Sequence, residues 1–162
     1  MIRNRQVSEE QPVFKLFPEL QEWPTKGMFC PDPYRAGFWS YRGRVDDLLI
    51  LSNGSTVNPA GYEESISKIA CVKQAIMCAT GGQKPALLVE LEPSSPPDSR
   101  LLDELWMTAK ESNRVFPPRS SVERSHIIIT SPDKPLPRSA KGTVQRALAL
   151  EVYREELERL YL

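Results

Sequence analysis

The rhythm of apolar positions changes along this chain, and each rhythm predicts a different element. Through residues 1 to 40, proline, aromatic and charged residues mix, and no period lasts beyond a few positions; this predicts irregular structure or a piece of something larger. From Phe38 the pattern tightens. Leu48-Leu49-Ile50-Leu51 followed by Ser52-Asn53-Gly54-Ser55 reads as a buried strand entering a tight turn, because Asn-Gly is the strongest short hairpin signal, and Val57 falls on the return strand. Asn58-Pro59 supplies an N-cap and then a proline at the first helical position. Tyr62, Ile66 and Ile69 recur at helical spacing, so a short helix packed on one face follows.

Two longer apolar runs come next, Val72 to Thr80 and Pro85 to Glu92. The Gly81-Gly82-Gln83-Lys84 segment between them predicts an antiparallel pair around a short glycine loop. After Pro93-Ser94-Ser95-Pro96-Pro97, either Asp98 or Ser99 can cap a second helix. This helix carries Leu102, Leu105, Trp106 and Ala109 on one face and ends before Pro117-Pro118. His126 to Thr130 reads as a short buried strand. A proline-spaced loop, Ser131 to Gly142, then delivers Thr143 as the cap of a long last helix with Leu150, Tyr153, Leu157 and Leu160 at 3-4 spacing and a Glu155–Arg159 pair on its wet face. The order predicts an α+β fold: an N-terminal hairpin and a short three-stranded sheet flanked by helices, with no βαβ phosphate-binding glycine run.

Charge and composition narrow the function classes. With 21 basic and 21 acidic residues the net charge is zero, and the basic footprint that nucleic acid requires is missing. Cys30, Cys71 and Cys78 are odd in number and lack metal-ligand spacing, so no metal site is expected and reduced thiols are, the latter two buried. No stretch approaches the roughly 20 apolar residues of a membrane span, and the N-terminus has no apolar signal core; a soluble, cytoplasmic protein is expected. His126, the one histidine, precedes three isoleucines and reads as a strand-end or core residue. Glu151, Glu155, Glu156 and Glu158 are interspersed with arginines and read as a solvated face, while Trp106 and Met107 read as core.

Two segments concentrate candidate chemistry. Tyr41-Arg42-Gly43-Arg44-Val45-Asp46-Asp47 leads straight into the first hairpin strand, and taken alone it is a charged surface turn. Pro132-Asp133-Lys134-Pro135-Leu136-Pro137-Arg138-Ser139-Ala140-Lys141-Gly142-Thr143-Val144-Gln145-Arg146 presents Lys141 just ahead of a helix start, and a loop lysine taken alone is a solvated surface residue. In this order, with Gly43 to Pro59 and Pro85-Ala86-Leu87-Leu88-Val89-Glu90 between them, they resemble the acyl-adenylate-forming superfamily of acyl-CoA synthetases, luciferases and peptide-synthetase adenylation domains. The similarity runs along nearly the whole chain and is closest to the adenylation domains of fungal synthetase-like reductases.

The resemblance implies that residues 46–162 are the small C-terminal lid domain and residues 1–45 a remnant of the large ATP-holding domain and hinge approach. It implies that Lys141 is the lysine that bridges the carboxylate and the α-phosphate during adenylation, because a cation on a movable loop can offset charge that builds up between two anions. Arg44 corresponds to the arginine on the ribose and phosphate side of the nucleotide, and Asp46 to the hinge. The turn of Ser52, Asn53 and Gly54 would line the passage for a phosphopantetheine thiol.

The departures weigh as much. Trp23 to Phe29 aligns with the segment whose aspartate binds the ribose hydroxyls, and Gly27 stands in its place; losing two charge-assisted hydrogen bonds costs several kcal/mol at about 1.5 to 3 each. No phosphate loop or carboxylate pocket is found, and no carrier or reductase domain. The expected function is therefore the C-terminal, truncated part of an AMP-forming carboxylate-activating enzyme, in secondary-metabolite biosynthesis and inactive alone. ATP or AMP with Mg would enter only with a large domain supplied in trans, and that domain or a phosphopantetheinyl carrier protein would be the partner. The alternative is a stand-alone docking module without chemistry of its own.

Overall fold

A sheet buried on both faces organises the larger part of this protein. The structure, a computed structural model, describes residues 12–79, 84–94 and 99–162, with Ser99 described by its backbone alone. The chain divides into two units, Met1–Asp46 and Asp47–Leu162. In the second unit, β3 (Leu49–Ile50) and β4 (Thr56–Val57) form a short antiparallel hairpin, and α2 (Ala60–Ser67) follows it. Strand β5 (Val72–Cys78) then pairs antiparallel with β6 (Ala86–Leu91). Helix α3 (Ser99–Val115) carries the chain across to β7 (Ile127–Ile129), which lies parallel to β6. The strand order is β5-β6-β7, so β5 is an edge.

Period-2 alternation explains why the strands read as unbroken apolar runs. Ala75, Met77, Leu87, Val89 and Ile127 face one cluster with Tyr62 and Ile66 of α2 and Leu101, Leu105 and Ala109 of α3. Their neighbours Ile76, Cys78, Ala86 and Leu88 face a second cluster with Leu136, Ala149, Tyr153 and Leu157. With both faces covered, the run from Ala75 to Cys78 and that from Ala86 to Glu90 are buried at every position, and the polar half of the alternation largely disappears. Each fully buried large side chain contributes about 1.5–3 kcal/mol, so the two clusters share the stabilisation. The Tyr62 hydroxyl is satisfied 2.9 Å from Asn113 Oδ1, and Asn113 in turn exchanges two hydrogen bonds with the Val122 backbone, at 2.8 and 3.0 Å.

The α+β architecture, the hairpin, the three strands and the helices read from the sequence are present, with local corrections. Residue Thr143 is not a helix cap: its carbonyl accepts the Ser139 N–H at 2.8 Å and Val144 bridges Arg138, so the segment is extended and the helix starts only at Arg146. The last helix is not continuous. It breaks at Tyr153 into α4 (Arg146–Val152) and α5 (Arg154–Arg159), yet Tyr153 N–H still donates to Ala149 and Leu157 N–H to Tyr153, so the apolar stripe survives the break. Ile69 is buried but lies beyond the end of α2, and Met107, read as core, is 55% exposed. Asn58 Oδ1 accepts the Ala60 N–H at 3.1 Å, but the helix starts at Ala60, so that Pro59 stands at the N-cap and not at the first helical position. Asp98, Thr80 and the loop Gly81 to Gln83 lie outside the described residues.

In the first unit the described residues, from Pro12 on, hold short regular elements where the sequence predicted irregular structure or a piece of something larger; residues 1–11 lie outside the described residues. The unit holds α1 (Pro12–Leu16) with Phe14 buried, and β1 (Gly27–Pro31) paired antiparallel with β2 (Trp39–Arg44). Asp32 Oδ1 accepts the Tyr34 and Arg35 N–H groups at 2.8 and 3.0 Å, turning the chain between the strands. A 3-10 turn, Val45–Asp47, joins the units. No helix among the described residues is long and apolar enough to cross a membrane.

Candidate functional site

Lys141 sits at the tip of a second, smaller hairpin. Ser139 N–H donates to Thr143 O at 2.8 Å and Gly142 N–H to Ser139 O at 2.9 Å, and Gly142 takes φ +80°. That pattern is a three-residue loop whose last position requires a left-handed backbone, which glycine supplies without Cβ strain. Ala140, Lys141 and Gly142 are all exposed, and the Lys141 ammonium makes no ion pair with a described residue. Arg138 spans the base of the loop: one guanidinium nitrogen donates to Gly142 O at 3.1 Å and the other meets Glu90 of β6.

The turn of Ser52, Asn53 and Gly54 is built the same way. Leu51 N–H donates to Ser55 O and Gly54 N–H to Leu51 O, both at 2.9 Å, with Gly54 at φ +77° and all three loop residues exposed. Asn53 Oδ1 also accepts the Ser55 N–H at 2.9 Å, fixing the turn from within.

In the first unit Gly27, Arg44 and Asp46 come together. Gly27 pairs with Arg44 across β1 and β2. Asp46 accepts from Arg44 Nη2 at 3.0 Å and lies 3.2 Å from Lys26 Nζ; the Arg44 hydrogen bond foremost, then Lys26, holds its carboxyl below the usual carboxylate range. Lys26 reaches that position from φ +58°, a conformation that costs a non-glycine residue about 1–2 kcal/mol. An open cleft of about 350 Å³ is lined by Thr25, Gly27, Phe29, Tyr41 and Arg44. A Cβ on Gly27 would meet the Phe29 ring at 3.0 Å, and Phe29 packs edge-on against Tyr41 at 5.5 Å. The place of a side chain at position 27 is thus occupied by aromatic rings, and no carboxylate fits there without moving Phe29.

Three charged groups of the second unit were not singled out from the sequence. Glu90 is 5% exposed in the central strand and pairs with Lys73 at 2.9 Å as well as with Arg138. Glu63 of α2 accepts from both Arg146 terminal nitrogens, at 2.7 and 3.1 Å, and from the Met77 N–H at 2.6 Å, while Arg146 also donates to the Met77 carbonyl. Glu90 was legible in principle: a lone acid inside an apolar strand must be paired. Burial pushes the Cys78 thiol, on the same sheet face as Leu88, up to about 12.

Comparison with known proteins comes from both sequence and structure. A family model described as AMP-binding enzyme C-terminal domain matches residues 46–162. The chain is similar to a carboxylic acid reductase of Neurospora crassa, 32% identical over 156 residues that are 93% of this chain and 15% of that protein. It is also similar to the adenylate-forming reductase Nps11 of Serpula lacrymans, 31% identical over 89% of this chain and 14% of the relative. Both relatives are thus far longer than the part this chain matches. In fold it resembles the A domain of a carboxylic acid reductase from Segniliparus rugosus, solved with AMP and a co-purified carboxylic acid: TM-score 0.64, 18% identity, 85% of this chain and 23% of that one.

Proposed function

Because this chain belongs to the family of AMP-binding enzyme C-terminal domains, we propose that it supplies the mobile lid and Lys141 in an AMP-forming carboxylate activation, acting together with a large ATP-holding domain. In that reaction a carboxylate oxygen attacks the α-phosphorus of ATP, the acyl-adenylate forms, and pyrophosphate leaves with the electron pair of the broken bond. Negative charge builds up between two anions that repel each other, and an ammonium delivered between them lowers the barrier.

The observation that carries this reading is the Lys141 hairpin: the ammonium is exposed, has no ion-pair partner among the described residues, and rides on a loop anchored at its base. Arg44 in this reading serves the nucleotide side, and Asp46, the last residue of the first unit, is the hinge. Gly27 leaves the ribose hydroxyls without a carboxylate from this chain. The described residues offer no cluster of His, Cys, Asp or Glu that would hold a metal, so Mg would accompany the nucleotide. The Ser52-Asn53-Gly54 turn would border the path of a carrier-borne thiol, and a secondary-metabolite pathway fits the reductase relatives.

The test supplies a large adenylation domain of a fungal adenylate-forming reductase in trans and follows carboxylate-dependent ATP–pyrophosphate exchange. Lys141→Ala is expected to lower exchange about 10²- to 10³-fold, the loss typical of one preorganised charge-stabilising donor. Equal rates for wild type and variant would sink the proposal and favour a docking module without chemistry.

A further inference from the structure

Glu90 stands where the sheet needs an apolar residue. In β6 it continues the face of Ala86 and Leu88, which is packed in the second cluster, and only 5% of it is exposed. An ionised carboxylate there is costly unless paired, and an apolar residue of similar volume would serve stability as well or better. Its partners indicate what the carboxylate is for. The register of β5 against β6 shifts between Val72 and Gln74, so Lys73 has no residue opposite it; Gln74 pairs with Glu90, and Lys73 Nζ turns onto Glu90 Oε1 at 2.9 Å. Bulges re-aim side chains in this way. Glu90 Oε2 then takes Arg138, whose other nitrogen donates to Gly142 O at 3.1 Å, one residue after Lys141.

We propose that Glu90 and Arg138 are positioning residues for Lys141: Glu90, aimed by Lys73, fixes Arg138 on the sheet, and Arg138 fixes the hairpin whose tip carries the ammonium. The inference rests on the role given to Lys141 above. The Pro137 carbonyl accepts the Gln145 N–H at 2.9 Å, joining the two arms of the hairpin below its loop; among the described residues it is the Arg138 side chain that ties the loop to the sheet. The hairpin's own backbone bonds, Ser139 N–H to Thr143 O and Gly142 N–H to Ser139 O, close an exposed loop; by holding Gly142 O to the sheet, Arg138 keeps those bonds closed as well as fixing the loop's orientation.

Two measurements test this. In the first, hydrogen exchange by NMR on the full chain, Arg138→Met and Glu90→Leu are expected to speed exchange of the Ser139 and Gly142 amides about tenfold or more while the Leu87 and Val89 amides stay unchanged. Arg138→Met leaves Glu90 paired with Lys73 and so keeps the result independent of any loss of stability in Glu90→Leu, while the Leu87 and Val89 amides report whether the sheet holds in each variant. Unchanged exchange at both amides overturns the proposal. In the second, with a large domain supplied in trans, Arg138→Met is expected to lower turnover about 10- to 100-fold at unchanged KM for ATP, as a misplacement of about 1 Å can. Arg138→Lys should recover part of the loss, and Arg138→Met should add nothing to Lys141→Ala. Losses that multiply in the double variant, or an Arg138→Met of wild-type rate beside a damaged Lys141→Ala, overturn the inference alone. An inert Lys141→Ala instead overturns the reading of Lys141, and the exchange data then still report whether Arg138 holds the loop.

Discussion

Glu63→Gln gives the most direct test of how the layers of the second unit are held together. Glu63 leaves α2 and Arg146 opens α4, and the two helices pack on opposite faces of the sheet. Their side chains meet at the outer edge of β5, where Met77 would otherwise show an unpaired N–H and C=O; Glu63 accepts the first and Arg146 donates to the second. Both side chains are mostly buried, 14% and 19% exposed. Removing one partner of a buried pair costs about 3–5 kcal/mol, because the other charge stays behind without compensation. Glutamine still accepts the Met77 N–H but offers no charge to the guanidinium, so about 3 kcal/mol is expected, a large fraction of the roughly 5–15 kcal/mol typical of a domain. Arg146→Met should cost about 2–3 kcal/mol, its carboxylate partner keeping the Met77 hydrogen bond. The double variant, with no orphaned charge, should be about 2 kcal/mol more stable than the sum of the single losses predicts. Urea unfolding followed by far-UV circular dichroism gives the cycle, provided the m-values agree. The loss should persist in 1 M salt, since buried pairs are poorly screened. Losses that add within about 0.5 kcal/mol would show that the two residues are independent surface neighbours and that the edge of β5 is closed by something else.

Two further outcomes follow from groups described above. Burial raises the Cys78 thiol to about 12 and raises the Tyr62 phenol also, so their contribution to stability is complete below the unfolded values of 9.0 and 10.0 and is lost as pH rises above them. Unfolding free energy should fall by about 1.4 kcal/mol per pH unit just above pH 9 and more steeply above pH 10, and Cys78→Ala should abolish the first slope; a flat profile from pH 9 to 10 in the wild type refutes it. Gly142→Ala meets no atom within 4 Å, so its cost is the left-handed backbone alone, φ +80°; a loss of about 1 kcal/mol by denaturant titration is expected, and a neutral effect would mean the loop relaxes out of that conformation.

What was legible from the sequence divides by whether burial wrote a pattern. Strands β5, β6 and β7 were readable because their two-sided burial makes continuous apolar runs, and α3 because Leu105 and Ala109 repeat on its buried face. The β1–β2 pair was not, since most of its residues are exposed and their types are free to vary. The loop chemistry was half readable. Asn53-Gly54 and Lys141-Gly142 both announced a turn, but a glycine ahead of a helical stripe does not tell whether the next residue caps the helix or closes a hairpin. The hydrogen bond from Ser139 to Thr143 decides it in favour of the hairpin. Glu63–Arg146 lay beyond reach for another reason: the partners are far apart in sequence, and each taken alone reads as an ordinary surface charge.

The distribution of paired charge bears on which cations are available to a ligand. In the second unit the cations nearest the core are all committed: Arg146 to Glu63, Arg138 and Lys73 to Glu90, Lys134 to Glu156. Lys141 has no such ion pair among the described residues. A cation that is to meet the anions of another molecule is most available when no acid of its own chain competes for it, and among the described residues Lys141 meets that condition. Arg44 is in the opposite position. Asp46 lies against it and against Lys26, so contact between Arg44 and a phosphate would have to compete with an acid two residues away in sequence. That competition makes Arg44 sensitive to any rotation about Asp46: a change in the backbone there that swings the carboxylate aside frees the guanidinium, and one that returns it withdraws the charge. If, as proposed, Asp46 is the hinge and Arg44 meets the nucleotide, hinge motion and nucleotide contact would be coupled through this one carboxylate, and Asp46→Asn, which keeps the hydrogen bond but not the charge, would separate them.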